Sequence, residues 1–575
     1  MSIEPLITQH LDIWTAADTE KKSGRGRSSG SAGGVYGIKK LRELILELAV
    51  RGKLVPQDAS DEPASELLKR IATEKAKLVA EGKIKKSKPL ESITEEDKPY
   101  ALPQGWQWAR IIQLFQVTSG GSFDISAEMD SGEYIYLKVG DMNTSENETV
   151  ITTSSRFVNP NIKERNGIIP ANSIIFPKRG GAIATNKKRL VTSEIFVDLN
   201  IMAITVPRSI SLIYTFQWLG GVDLAQLNTG TSVPQINHKD IEPLIFPLPP
   251  LAEQHRIVAK VDELMALCDQ LENQHNNAAE AHEKLVTHLL GTLTQTQNTE
   301  DFNTHWQRIS EYFNTLFTTE ASIDALKQTL LQLAVMGKLV PQDPNDEPVS
   351  ELLKRIQAEK AKLVAEGKIK KDKPLAEITE EEKPFDLPVG WEWVLFEQIL
   401  SYKQGLQVGT ENQFLKKETG ATRYLRITDF RNDDEIRYIK DSSQDVYCNE
   451  IDLLMIRYGG TAGEIVSGKK GIYHNNMFRI DYDQKLLDRK YLWNYLALPS
   501  IRNELDGGST SSTMPQISHK VMNKIKLPLA PIEEQQRIVT KVDELMAICD
   551  QLKSCLTEAN QLQQKLADVV IMQVI

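Results

Sequence analysis

Apolar residues recur at alternating intervals of four and three along two stretches of this chain. The first stretch runs through Ile257, Val261, Leu264, Cys268 and Leu271, then His275, Ala278, His282, Leu285 and Leu289. The second runs through Ile538, Val542, Leu545, Cys549, Leu552 and Leu556, then Ala559, Leu566 and Val570. A 3.5-residue repeat held over several heptads predicts a long helix with a coiled-coil seam. Each helix would extend roughly 50–60 Å at ~1.5 Å per residue, and the two seams can bury their apolar faces against each other. Cys268 and Cys549 lie on the seams and read as core thiols.

Shorter apolar helices are predicted at LRELILELAV (41–50) and LKQTLLQLAV (326–335). They stop at Gly52 and Gly337, where glycine takes the left-handed cap, and Pro56 and Pro341 prevent their continuation. A second helix follows each, entered through DEP (61–63 and 346–348) and closed at Gly82 and Gly367. The next stretch, GKIKKSKP (82–89), is basic and reads as extended. Strand-like runs such as EYIYLKV (133–139) and NSIIFP (172–177), divided by turn residues, predict mixed α/β domains between these helical frames. Residues 23–34, SGRGRSSGSAGG, read as a flexible linker.

The frames are repeats. Residues 41–108 align without a gap to 326–393 at an offset of 285, with roughly seven positions in ten identical, and GKLVPQD stands at 52–58 and 337–343. A second repeat, at an offset of 281, matches 234–271 to 515–552, beginning at PQI-x-HK. The enclosed segments, 109–233 and 394–514, diverge strongly but keep faint parallels. YLKVGD (136–141) faces YLRITD (424–429), and SIIFPKRGG (173–181) faces DLLMIRYGG (452–460). A constant frame around a diverged insert predicts one task performed twice on different targets.

Composition adds few constraints. The chain has 575 residues, 41% hydrophobic and 25% charged, which is ordinary for a multidomain globular protein. No uncharged apolar run reaches the ~20 residues needed to span a bilayer. The opening MSIEPLITQHLDIW lacks a basic stretch before an apolar one, so no signal peptide is expected and a cytoplasmic location is. The four cysteines form no CxxC and no zinc-ligand spacing, so no metal site is expected. A net charge of −10 argues against a chain that coats nucleic acid non-specifically, while leaving room for local basic surfaces.

A search for catalytic chemistry finds none. GEIVSGKK (463–470) nearly matches a phosphate-cradling loop, but Lys470 stands where the magnesium-binding hydroxyl belongs, so a basic hairpin is expected there. His238 and His519 recur in PQI-x-HK without a recurring nucleophile or acid, and read as capping or packing residues. Basic character does recur at matching places. The candidate DNA-binding set is Lys138, Lys178, Arg179, Lys187, Lys188 and Arg189 in the first segment. In the second it is Arg426, Arg457, Tyr458, Lys469 and Lys470. Lys and Arg neutralise phosphates, Arg also forks onto guanine, and the neighbouring paired glycines let backbone approach a ligand.

The ordered combination resembles the specificity (S) subunit of type I restriction-modification enzymes. LPxGWxW (102–108, 387–393) opens each variable domain and PQI closes it. PLPPLAEQHRIVAKVDEL and PLAPIEEQQRIVTKVDEL follow, and the resemblance covers nearly the whole chain. It implies an α+β, pseudo-twofold chain. Two mixed α/β target-recognition domains would be separated by two long conserved helices packed as an antiparallel coiled coil. The implied layout is an N-terminal helical region 1–104, recognition domain 105–250, central helical region 251–386, recognition domain 387–531 and C-terminal helix 532–575. Each recognition domain would read one half of a bipartite double-stranded DNA site, with the helices setting the spacing. Two modification (M) and two restriction (R) subunits would join, supplying adenine methylation and cleavage. S-adenosylmethionine would belong to M, and ATP with magnesium to R; this chain would bind no cofactor and would not itself be an enzyme. Read from the residues without the resemblance, a protein-binding scaffold that does not read DNA stays open.

Overall fold

A computed structural model describes residues 10–16, 35–82, 84, 91–122, 128–159, 167–228, 233–296, 299–365, 378–440, 444–507 and 516–574. The expected linker at 23–34, nearly all of GKIKKSKP, and Gly367 lie outside these. The chain divides into two compact units, residues 1–278 with 559–575, and residues 279–558.

The helices that frame the first unit are α1 (Leu11–Ala16), α2 (Tyr36–Val50) and α3 (Ala64–Ala80), with α4 (Leu212–Gly220) inside the sheet domain. The long α5 (Leu251–Gln295) begins in this unit. The second unit holds α6 (Glu320–Val335), α7 (Val349–Ala365) and α8 (Arg489–Leu496), and the long α9 (Ile532–Val574) begins there.

The first unit's strands are β1 (Gln107–Arg110), β2 (Gln116–Ser119), β3 (Tyr134–Leu137), β4 (Phe157–Val158) and β5 (Ile168–Ile169), then β6 (Ser173–Pro177), β7 (Arg189–Val191), β8 (Ile195–Val197), β9 (Ile201–Thr205) and β10 (Ile245–Leu248). The second unit repeats them as β11 (Glu392–Leu395), β12 (Leu400–Gln404), β13 (Thr422–Leu425), β14 (Arg437–Ile439) and β15 (Tyr447–Cys448), then β16 (Leu453–Ile456), β17 (Ile465–Ser467), β18 (Gly471–Tyr473), β19 (Met477–Tyr482) and β20 (Lys526–Leu529). One sheet runs β2-β9-β6-β7 and its counterpart β12-β19-β16-β17; the other runs β4-β3-β8-β5 and its counterpart β14-β13-β18-β15. In each domain one parallel pair, β3 with β8 or β13 with β18, interrupts otherwise antiparallel pairing. An antiparallel clamp, β1–β10 or β11–β20, ties the entry to the exit of each domain. The strand order repeats although most of the enclosed sequence does not.

Three repeated motifs meet at one node per unit. Gln57 of GKLVPQD donates from Nε2 to Gly52 O (2.7 Å) and to Glu253 Oε1 (3.1 Å), and the Trp106 indole donates to Glu253 Oε2 (2.9 Å). Gln342, Glu534 and Trp391 repeat this at 2.6, 3.1 and 2.9 Å. Burial pushes the Glu253 and Glu534 carboxyls up from their ordinary value, against the hydrogen bonds they accept. The adjacent glutamine ties the variable domain to the frame. Gln254 Oε1 accepts from Ser211 N at 2.8 Å, and Gln535 Oε1 from Asp488 N at 2.8 Å, the N-caps of α4 and α8.

The seams are buried differently from a two-helix coiled coil. In the first unit Ile257, Val261, Leu264 and Cys268 share a core with Leu41, Leu44, Ile45 and Leu48 of α2 and with Ala567 and Val570 of α9. In the second, Cys549, Leu545 and Leu552 pack with Leu326, Leu330 and Leu333 of α6 and with Val286, Leu290 and Leu293 of α5. Each seam thus packs against a frame helix as well as against the other long helix, and Arg42 adds ion pairs to Asp269 (2.7 Å) and Glu272 (2.8 Å). Both cysteines are buried thiols, as expected.

The second half of each seam follows expectation only in part: Val570 is buried at its predicted position, but other predicted positions are not. Leu285 and Leu566 are 50% and 49% exposed, while Val286, Leu290, Leu293 and Ala567 are buried. On an ideal helix Val286 lies roughly 20° from the direction of Ile257, and Leu285 roughly 80° away; Ala567 and Leu566 stand the same way to Ile538. Burial therefore follows the 3.6-residue period of a straight helix, and the 3.5-residue seam drifts off it by one position.

Candidate nucleic-acid interface

The turn after β6 is built by the repeated PQI segment. Ile236 N donates to Lys178 O at 2.9 Å, Gly180 N donates to Pro234 O at 2.8 Å, and Arg179 bridges Gln235 between them. In the second unit Ile517 N donates to Arg457 O at 3.0 Å, and Tyr458 bridges Gln516. The PQI segment at 234–236, and Gln516 with Ile517 in the second copy, thus form a strand-like clamp on each basic turn. Gly180, Gly181, Gly459 and Gly460 leave open space where a Cβ would stand, so a ligand can approach the backbone there.

The residue before each tip is a positioning group. Lys178 Nζ donates to Ser119 Oγ at 2.8 Å, and that hydroxyl lies 3.0 Å from His238 Nε2. Burial lowers the Lys178 ammonium below its ordinary value, with Arg179 adding to the effect. Arg457, 9% exposed, donates to Ile517 O (3.4 Å) and Asn475 O (3.3 Å) and lies 5.2 Å from the Tyr458 ring. His519 stacks on Tyr402, 5.3 Å between centroids, and meets Phe478 edge-on, which is the packing role expected of it. His238 opens a short helix and lies 3.4 Å from Glu242.

Several candidates are committed inside the fold. Lys138 and Arg426 occupy the same turn: their backbone N–H groups donate to Asp141 Oδ2 (2.8 Å) and Asp429 Oδ2 (2.6 Å). The YLxxxD motif is therefore a capped turn. The Lys138 ammonium pairs with Glu128 at 2.6 Å, and Arg426 with Asp429 (3.1 Å) and Glu435 (3.0 Å). Lys188 is buried, donating to Val222 O (2.7 Å) and Asn186 Oδ1 (2.8 Å), and burial pulls it down to about 8. Arg189 donates to Lys188 O (2.8 Å) and Met142 O (3.0 Å). Lys469 is held by Asp429 O and by Asp433 at 3.0 Å. Lys187 donates to Asn143 Oδ1.

Arg179 and Lys470 are exposed, and Tyr458 is half-buried. The hairpin expected at 463–470 does not form: β17 pairs with β16 in one sheet, while β18 joins the other beside β13 and β15. Lys469 and Lys470 sit on the crossing between sheets. The sequence reading missed Ser119, Gln235 and Asn237. The recurrence of Gln235 as Gln516 within PQI was their available trace. Among the described residues no group of His, Cys, Asp and Glu could hold a metal ion, and no helix is long and apolar enough to cross a membrane.

Two stretches, residues 103–281 and 388–564, match the family described as "Type I restriction modification DNA specificity domain". The chain is 41% identical over 589 residues to the type I restriction enzyme EcoAI specificity subunit of Escherichia coli, with 99% of each chain covered. It is 36% identical over 613 residues to the EcoEI specificity subunit of Escherichia coli, again with 99% of each covered. A crystal structure of the HsdS subunit from Thermoanaerobacter tengcongensis is 18% identical, covering 83% of this chain and 97% of that one, at a TM-score of 0.42.

Proposed function

The chain belongs to the type I restriction-modification specificity subunits, and on that premise we propose that its two sheet domains each read one half of a bipartite double-stranded DNA site. The observation that carries this reading is the repeated strand order inside repeated frames, with different side chains at matching tips: Arg179 against Tyr458. Two readers of one architecture, differing at the tip, suit a site whose halves differ. Binding both halves through one scaffold multiplies affinity only when the spacing matches. The long helices α5 and α9 supply that spacer.

The chain contributes recognition and no catalysis. M subunits bring S-adenosylmethionine and methylate adenine; R subunits bring ATP and magnesium and cleave, all in the cytoplasm. The near-identical frames give two equivalent docking places, hence two M and two R. Leu562, Leu566 and Val569, 61%, 49% and 48% exposed at intervals of four and three along α9, offer an apolar stripe suited to a partner helix of M. Among the candidate residues, Arg179, Tyr458 and Lys470 contact DNA directly, while Lys178 and Arg457 position the tips.

Footprinting of the chain with its M subunit on a randomised DNA pool tests this. Protection of two short sequences at a fixed separation is expected. Binding without sequence preference, or no DNA binding, would return the protein-scaffold reading.

A further inference from the structure

We propose that Arg179 reads a guanine edge in the half-site bound by the first domain, with Gln235 and Asn237 fixing its orientation. The proposal rests on the recognition function above and assigns the chemistry of one contact within it.

The other candidate cations of this domain are already engaged by carboxylates, carbonyls or side-chain oxygens, as described. Arg179 differs. It is exposed, and among the described residues its guanidinium donates to Gln235 Oε1 alone, at 3.3 Å. One of its five N–H donors is engaged, so a two-donor fork remains for a ligand. Gly180 and Gly181 follow it, and among the described residues nothing lies within 4 Å of where their Cβ atoms would stand, so a duplex edge can come close to the backbone at this turn.

The orientation is set by a relay of hydrogen bonds. The Asn237 backbone N–H donates to Asp240 Oδ2 at 2.7 Å, closing a cap on the helix that follows. Asn237 Oδ1 accepts from Gln235 Nε2 at 2.8 Å, and the Gln235 backbone N–H donates to Asn228 Oδ1 at 2.8 Å. With its amide nitrogen engaged, Gln235 presents its carbonyl oxygen to Arg179. A held guanidinium matches the paired O6 and N7 acceptors of guanine, a pattern no other base offers in the major groove. A phosphate contact would carry no sequence information, so base preference is what separates the two.

The second domain supports the division of labour. Gln516 holds the same bridge position, so the clamp itself is common to both readers. What changes is the residue clamped, and Tyr458 has no fork to offer guanine. The tip therefore distinguishes the half-sites, while the frame does not.

The test uses the whole chain assembled with its M subunit and a DNA pool randomised in both half-sites, with methylation as the readout. Wild type, Arg179→Ala and Arg179→Lys are compared across a salt series. We expect wild type to demand a G·C pair at one position of the first half-site. Arg179→Ala should lose that preference by about ten- to a hundred-fold, leaving the second half-site unchanged. Arg179→Lys should restore overall affinity more than base preference. Uniform weakening of all sequences by Arg179→Ala, with lysine rescuing it fully, would make Arg179 a phosphate contact and overturn the proposal. A first half-site without a required G·C pair would also overturn it. In both cases wild type still selects a bipartite site, so the recognition function survives; a wild type without selectivity would instead defeat that function.

Discussion

Gly52→Ala is the sharpest perturbation of the frame. Gly52 has φ of +68°, and an added Cβ would stand 2.4 Å from Pro103 Cγ and 3.0 Å from Trp106 Cζ2. The left-handed backbone costs an alanine ~1–2 kcal/mol. Forcing apart a packed proline and tryptophan costs ~1–3 kcal/mol more. Together these weaken the local structure by about 2–5 kcal/mol, and Trp106 is also the donor to Glu253, so the node loosens with it. Hydrogen exchange on peptides spanning 41–58 reads the opening of this region directly. At ~1.4 kcal/mol per tenfold, protection should fall by roughly thirty-fold to several thousand-fold. Gly337→Ala is the built-in replicate, with φ of +66° and contacts of 2.5 Å to Pro388 Cγ and 3.1 Å to Trp391 Cζ2. Its effect on peptides spanning 326–343 should be of the same order. Gly181→Ala, facing open space, should leave exchange unchanged. Wild-type protection in Gly52→Ala, or a loss confined to one of the two copies, would refute the idea of two equivalent frames.

Lys188→Met keeps the aliphatic stem but removes the donor to Val222 O and Asn186 Oδ1, so the first domain should lose ~1–3 kcal/mol of stability by denaturant titration. DNA binding by the folded fraction should keep its salt slope; a fall of ~0.9 in that slope would mean Lys188 meets a phosphate after all. In the second domain burial lowers His474, and burial with Arg457 lowers His519. Both therefore stay neutral in the folded state where the unfolded chain takes up protons. Their contribution is complete above the unfolded value of ~6.5 and is lost as pH falls through the folded values. Exchange protection in the second domain should drop between pH 7.5 and more acid buffers, and His519→Phe, which keeps the aromatic stack, should flatten part of that drop. An unchanged pH profile in the variant would exclude His519 as a source.

The repeats made the frames legible in the sequence, because repetition at fixed offsets needs no knowledge of contacts. Gly52 and Gly337 were readable as left-handed caps from their place between an apolar helix and a proline. The node itself was not, since Gln57 and Glu253 stand nearly two hundred residues apart and look like ordinary polar residues. The long helices were readable too, but the heptad template misplaced some positions of their second halves: Val570 is buried as counted, whereas Leu285 satisfies a 3.5-residue count while a straight helix buries Val286. The candidate interface was the least legible part. Basic residues mark themselves, but their neutralising partners do so only after folding. Arg426 meets Glu435 and Lys469 meets Asp433, both partners within the acidic run DFRNDDEIR at 429–437. Arg179 stands out among the candidate cations of the first segment only once their partners are known.

Replacing residues 109–233 with the corresponding segment of another specificity subunit, and sequencing the methylated adenines in cells that also carry the M subunit, tests the two-reader arrangement most directly. One half of the recognised site should change while the other half and the separation stay fixed. A change in both halves, or in neither, would contradict it.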